Sequence, residues 1–197
     1  MTDRMLPLLG GAPHERSDAA RNRELLLEAA RRLVETCGVP GVTMEAVAVE
    51  AGVGKGTVFR RFGSRAGLMA ALLDHTESAW QAGVISGAPP LGPGAPPLDR
   101  LLAFGDSRIR LSLQHAELLE AATAAFGRSY AAHAFTAIHV RHLLAELRVH
   151  GDLPLLATAL LAPLEVAILT QQVRIECLEV ERIVAAWSDL ARRVVGP

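Results

Sequence analysis

The chain has 197 residues, of which 50% are hydrophobic and 21% are charged. That balance is enough to bury a core and excludes a disordered or fibrous protein. Its 20 basic and 21 acidic residues leave a net charge of −1, so any attraction to nucleic acid must come from a local patch. Two cysteines are too few for a disulfide framework or a zinc finger, and they favour a reducing cytoplasm.

The N-terminal residues 1–17 lack the features of a signal peptide and are predicted to form a mobile arm. The longest apolar run, residues 153–170, is about long enough to span a bilayer. Pro154, Pro163 and Glu165 interrupt it and no basic flank anchors it. The sequence therefore predicts a cytoplasmic protein with no membrane partner.

The chain is predicted to be all-α, because no window alternates apolar and polar residues as strands do. A first helix begins at Asp18 and ends at Gly38 and Pro40, and a second begins at Thr43, whose hydroxyl can cap it. Further helices are expected at 55–62 and from 64 onward, before a loop rich in Gly and Pro at 83–97. The later helices are expected near 98–114, 115–126, 129–150, 154–176 and 179–195.

The two last segments predict a homodimer. Residues 154–176 are apolar nearly all round, so that helix needs cover on every side, and 179–195 has one apolar face. We expect both to pair with their own copies, although a central helix in a monomeric bundle is an alternative. The expected interface residues are Leu160, Leu164, Ile168, Ile183, Trp187 and Leu190.

Residues 43–62, TMEAVAVEAGVGKGTVFRRF, have the pattern of a helix, a turn with glycine and a second helix. In a helix-turn-helix, the first helix braces the second, which presents its N-terminal residues to a DNA major groove. Between Ala51 and Gly67 the chain carries four basic residues and no acid. A merely solvated basic face is the alternative interpretation.

A phosphate-binding loop is a weaker interpretation of GVGKGT, residues 52–57. That loop needs a first glycine where Val49 stands, and Ser or Thr where Gly56 stands. It also needs a preceding buried strand, whereas the preceding residues here predict a capped helix. The pattern therefore favours DNA over a nucleotide.

From about Arg21 to Leu72, and most specifically in AGVGKGTVFRRFGSRAGL, the sequence resembles the TetR family of transcriptional repressors. The resemblance implies a nine-helix homodimer whose paired recognition helices bind a palindromic operator in double-stranded DNA. A small-molecule effector, unidentified here, would release the DNA. It also implies a DNA-binding domain at 18–75, an effector-binding and dimerisation domain at 76–197, no cofactor and no enzymatic activity.

The resemblance assigns roles to particular residues of the helix-turn-helix. Thr43 and Arg65 would contact phosphates, and Lys55 or Arg60 would be the first candidate to reach a guanine edge. Phe59 replaces a tyrosine usual in the family, and the charge of Arg61 could offset that lost contact. The expected DNA-binding set is Thr43, Lys55, Gly56, Thr57, Phe59, Arg60, Arg61 and Arg65.

The C-terminal half offers two further candidate sites. His139, His142, Glu146 and His150 share one arc of a predicted helix. This favours a solvated face or one wall of a polar pocket, and leaves a metal-binding protein or enzyme as the alternative function. An effector pocket is expected among apolar residues that core packing would explain equally well. The candidate lining residues are Trp80, Phe104, Ile109, Phe126, Phe135 and Ile138.

Overall fold

The computed structural model describes the backbone of residues 13–119 and 130–196, and the side chains of 20–119 and 134–196. Within that part of the chain every regular element is a helix, which confirms the all-α prediction. The α-helices are α1 Pro13–Gly41, α2 Met44–Glu50, α3 Lys55–Phe62, α4 Arg65–Ser86, α5 Pro97–Gln114, α6 Tyr130–Glu146, α7 Leu153–Leu161, α8 Val166–Arg174 and α9 Val180–Val195. A 3-10 helix, Ala162–Leu164, joins α7 to α8.

The chain forms two compact units, Met1–Leu72 and Leu73–Pro197, which we call unit 1 and unit 2. The boundary falls within α4. Helix α1 begins at Pro13, so residues 13–17 of the predicted mobile arm are helical, and residues 1–12 lie outside the described chain.

Unit 1 is built from α1, α2, α3 and the start of α4. The helical backbone of α1 breaks at Gly38, whose φ of 71° is a left-handed conformation that glycine adopts without steric cost. The core then closes around side chains from all four helices that are almost fully buried. They include Leu26, Leu27, Val47, Val58 and Leu68.

Unit 2 packs α5 against α6, α8 and α9. Phe104 on α5 is fully buried, and Trp187 on α9 is 3% exposed. The Trp187 indole N–H donates to the Leu160 carbonyl oxygen over 2.8 Å, which ties α9 to α7. Gly105 supplies the space for this ring, because a Cβ there would lie 1.8 Å from Trp187 Cζ3.

The prediction of one continuous helix over 154–176 is wrong. Pro163 lies in the 3-10 helix and Glu165 is extended, with φ −64° and ψ 132°, so the helical path stops and restarts. The apolar side chains on the two sides of this break need not share one helical surface. By length and composition alone, residues 153–174 are long and apolar enough to cross a membrane, but one such segment indicates a membrane span only weakly. The break at 162–165 also interrupts this segment.

Two other boundaries differ from the sequence prediction. Helix α4 extends to Ser86, into the expected loop, and its residue Val84 is fully buried. Helix α6 ends at Glu146 rather than at 150, because Arg148 takes a φ of 56°, which an α-helix does not permit.

The predicted dimer interface needs correction. Leu160 and Trp187 lie in the core of their own chain, and Leu164 and Ile183 are also buried there. Their apolar surface is already covered and is not free for a second copy. Of the six predicted residues, Ile168 and Leu190 are exposed, at 41% and 37%.

Candidate nucleic-acid interface

Helices α2 and α3 form a tight helix-turn-helix. The turn depends on Gly52, whose φ is 66°, and on a hydrogen bond from the Val53 N–H to the Ala48 carbonyl over 2.9 Å. Val47 and Ala48 on α2 and Val58 on α3 are buried against the rest of unit 1. Because these residues anchor the inner face of α3, its opposite face is directed outward.

The outward face of α3 contains most of the predicted DNA-binding residues. Lys55, Gly56, Phe59, Arg60 and Arg61 are exposed, and Thr57 is half-buried. The arrangement therefore brings the cationic residues to one surface of unit 1, although the predicted contacts to DNA stay predictions.

The N-terminus of α3 has no side-chain cap, because the residue at its N-cap is Gly54. The first N–H groups of a helix have no partner inside it and favour an anion. A Cβ atom at Gly54 or at Gly56 would have no heavy atom of the neighbouring residues in the described chain within 4 Å. The chain itself therefore does not require glycine at these two positions, and the space beyond them is open to a partner.

Lys55 is held by two neighbours on the exposed surface. Its ammonium group forms an ion pair with Glu45 of α2, and Nζ lies 5.3 Å from the centre of the Phe59 ring. The hydrogen bond from Lys55 lowers the pKa of the Glu45 carboxyl below its usual value, with its own backbone N–H adding to the effect. Glu45 carries no signal in the sequence that would single it out, since nothing in the order of residues places it beside Lys55.

Thr43 is the N-cap of α2, as predicted from its residue type. Its Oγ1 accepts a hydrogen bond from the Ala46 N–H over 3.0 Å. A hydroxyl that accepts in this way keeps its own proton to donate outward. Thr43 is exposed, so that proton is available to an oxygen approaching unit 1.

Arg65 has a structural role that the sequence did not reveal. Its Nε donates to the Val42 carbonyl over 2.8 Å and its Nη2 donates to the Val39 carbonyl over 2.6 Å. These carbonyls lie at the end of α1 and just before Thr43. The guanidinium group therefore ties α4 to the segment that leads into α2, and its position is set by these bonds.

The predicted effector residues lie mainly in the core of unit 2. Trp80, Phe104 and Ile109 are buried and Phe135 is partly buried, whereas Ile138 is 56% exposed. Ring centres of Trp80 and Phe104 lie 5.3 Å apart. Phe126 lies outside the described residues, so its predicted role has no structural counterpart here.

The four residues of the predicted arc, His139, His142, Glu146 and His150, differ in their exposure. His142 and Glu146 are exposed, with Nε2 of the histidine 3.6 Å from a Glu146 oxygen. His139 instead turns inward, with its ring 5.3 Å from that of Phe104, so the predicted solvated face is wrong for this residue. Burial, together with the nearby charge of Arg100, lowers the pKa of His139 to about 4.

Within the described ranges, no group of three or more His, Cys, Asp or Glu side chains is arranged to hold a metal ion. The side chains of His139, His142 and Glu146 therefore do not form such a group. His139 turns inward, whereas His142, Glu146 and His150 are exposed.

Residues 26–72 match the family model described as "Bacterial regulatory proteins, tetR family". A search of curated proteins finds no match. The α1–α4 segment that forms the helix-turn-helix surface thus coincides with the matched residues.

Solved structures resemble the chain over nearly its whole length. A TetR-family transcriptional regulator from Pectobacterium atrosepticum is 20% identical with a TM-score of 0.69, over 91% of this chain and 96% of that one. A putative TetR-family regulator from Rhodococcus sp. is 18% identical with a TM-score of 0.63, over 90% and 100%. Reduced NemR from E. coli is 19% identical with a TM-score of 0.59, over 88% and 96%. At these identities the likeness concerns the fold.

Proposed function

We propose that the chain is a TetR-family transcriptional regulator, because residues 26–72 match that family's model, and that it is a repressor released from a palindromic operator by a small-molecule effector. It acts as a cytoplasmic homodimer and has no catalytic activity. The observation that carries this proposal is the outward face of α3, where Lys55 is exposed at a helix N-terminus without a side-chain cap and Arg60 and Arg61 are exposed in the last turn.

The recognition step follows from the geometry of unit 1. A B-DNA major groove is about 12 Å wide and admits a helix, and base edges are read by the first residues of that helix. Lys55 and Arg60 are the candidates to donate to guanine, and Thr57 contacts the adjacent bases. Gly56 allows the backbone of α3 to approach the groove, since no atom of the chain occupies the space beyond it.

Phosphate contacts position α3 along the duplex. The free proton of the Thr43 hydroxyl is directed at one phosphate, and Arg61 lies on the exposed side of α3 to reach another. Arg65 contributes indirectly, by holding the backbone in front of Thr43. Phe59, which has no hydroxyl, supports Lys55 instead of binding phosphate.

Dimerisation through unit 2 would place two copies of α3 on one face of the duplex. Ile168 on α8 and Leu190 on α9 keep exposed apolar surface that a second copy can cover. A two-fold dimer binds half-sites about one helical turn, roughly 34 Å, apart. Sedimentation of wild-type protein and of Ile168→Glu tests this step, because a charge at the interface should shift the dimer toward monomer.

Effector binding in unit 2 is supported by polar atoms that the described core leaves without partners. Arg100 Nε and His139 Nε2 are buried and form no hydrogen bond. His139 stacks on Phe135, with ring centres 6.1 Å apart and planes 10° apart. A ligand with a hydrogen-bonding head group and an apolar body would satisfy these atoms, because buried polar groups are normally paired.

The experiment that tests the function begins with selection of DNA duplexes from a random library by the purified protein. We expect a short palindrome, which footprinting should then show as a protected site. Candidate ligands are added to the complex, and an effector should release the DNA. Recovery of no preferred sequence would contradict the proposal.

A further inference from the structure

We propose that Glu45 is a positioning residue for Lys55: it fixes the ammonium group over Phe59 and cancels its net charge, so that Lys55 reads bases rather than attracting DNA of any sequence. This inference rests on the proposed function. Glu45 itself is not assigned a contact with DNA.

The first step is positional. A lysine side chain is flexible, and an exposed one samples many rotamers before it reaches a base. Here Glu45 approaches Lys55 from α2, and the Phe59 ring lies beneath its Nζ at 5.3 Å from the ring centre, within the range of a cation–π contact. The two contacts come from different helices, so together they restrict the ammonium group to one place on the α3 surface.

The second step concerns the remaining donors. An ammonium group carries three N–H bonds, and the ion pair with Glu45 uses one side of it. Its other donors stay available, because the Lys55 side chain is 55% exposed. A guanine edge offers two acceptors, O6 and N7, in the major groove. Lys55 can therefore donate to guanine while its pair with Glu45 stays in place.

The third step concerns charge. Non-specific binding to DNA is driven mainly by neutralisation of phosphates and release of counterions. The paired carboxylate removes about one unit of positive charge from each recognition surface, so it lowers attraction to phosphate at every sequence. The Lys55 ammonium group can still donate hydrogen bonds to a base edge. The affinity for a specific sequence therefore rises relative to the affinity for any other sequence.

Helix α2 contains a matched control for this effect. Glu50 is also exposed and also paired, with Arg32 Nε 2.8 Å from its Oε1, but its partner is on α1 instead of α3. Glu50→Gln and Glu45→Gln therefore change the charge of unit 1 equally. Only Glu45→Gln releases Lys55.

The test compares the full-length wild type with Glu45→Gln, Glu50→Gln and Lys55→Met. Each protein selects sequences from one random library, and affinities for the wild-type-selected duplex and a scrambled duplex of equal length are measured over a series of salt concentrations. For Glu45→Gln we expect discrimination at the base pair read by Lys55 to fall by about fivefold or more, as in Lys55→Met. Its affinity for the scrambled duplex should rise, with a salt slope steeper by about 2 for a dimer.

Glu50→Gln should leave base discrimination as in the wild type, and urea unfolding of Glu45→Gln should match wild type because the pair is exposed. Unchanged base preference in Glu45→Gln would overturn the positioning role, and so would equal loss of preference in Glu50→Gln. A Lys55→Met protein with full preference would overturn it as well. If the wild type itself selects no sequence, the proposed function fails before this inference is reached.

Discussion

Replacing glycine by alanine should have opposite effects on stability at two helical positions of this chain. Gly56 lies in the first turn of α3 and Gly105 lies within α5. A Cβ at Gly56 would meet nothing within 4 Å, whereas one at Gly105 would lie 1.8 Å from Trp187 Cζ3 and 2.2 Å from Cε3. The intrinsic preference of a helix for alanine is therefore expressed at the first position and overridden at the second.

The magnitudes follow from these distances. Gly56→Ala should stabilise unit 1 by about 0.4–1 kcal/mol through the lower entropy of the unfolded chain. For a domain of this size that raises the melting temperature by about 2–8 °C. Gly105→Ala should destabilise unit 2 by about 1–3 kcal/mol, since the buried Trp187 ring is held by its bond to Leu160 and cannot move away freely.

The assay combines unfolding with DNA binding. Despite its greater stability, Gly56→Ala should bind the selected duplex at least about fivefold more weakly, because its methyl group occupies the space that the groove needs. Gly105→Ala, measured at a temperature where it is folded, should retain the wild-type base preference. A Gly56→Ala protein that binds DNA as well as wild type would refute the idea that α3 approaches the groove closely at this residue.

Four further outcomes are expected. Lys55→Ala should lower operator affinity by about 1–3 kcal/mol and relax specificity at one base pair, as measured by titration against single-base variants; equal losses on all sequences would contradict base reading. Arg65→Met should destabilise the protein by about 1.5–3 kcal/mol in urea unfolding, because two carbonyls lose a charged donor. Unchanged stability would contradict this structural role of Arg65. Glu77→Gln should lower the free energy of unfolding by about 3 kcal/mol, because the Glu77 carboxylate pairs with Arg108 at 2.6 Å and both side chains are largely buried. A change smaller than the error of the urea unfolding curve would contradict this. The lowered pKa of His139 means that the unfolded chain takes up its proton first, so stability should fall as the pH drops from 6.5 to about 4, and His139→Phe should flatten that part of the stability curve.

Local signals in the sequence determined the helix-turn-helix of unit 1. The cap at Thr43, the turn at Gly52 and the run of basic residues without acids are all encoded within residues 43–65, and the structure forms helices with nearly the predicted bounds there. Short-range hydrogen bonds and backbone preferences decide such features, so they can be predicted without knowledge of distant contacts.

Tertiary structure decided the features that join residues far apart in the chain. The pairing of Glu45 with Lys55 and the bonds from Arg65 to the end of α1 depend on how α1, α2, α3 and α4 pack, which no periodicity reveals. Burial of Trp187 within its own chain has the same origin. An apolar helical face indicates that a surface must be covered, but its partner is chosen by packing, since hydrophobic attraction has no direction.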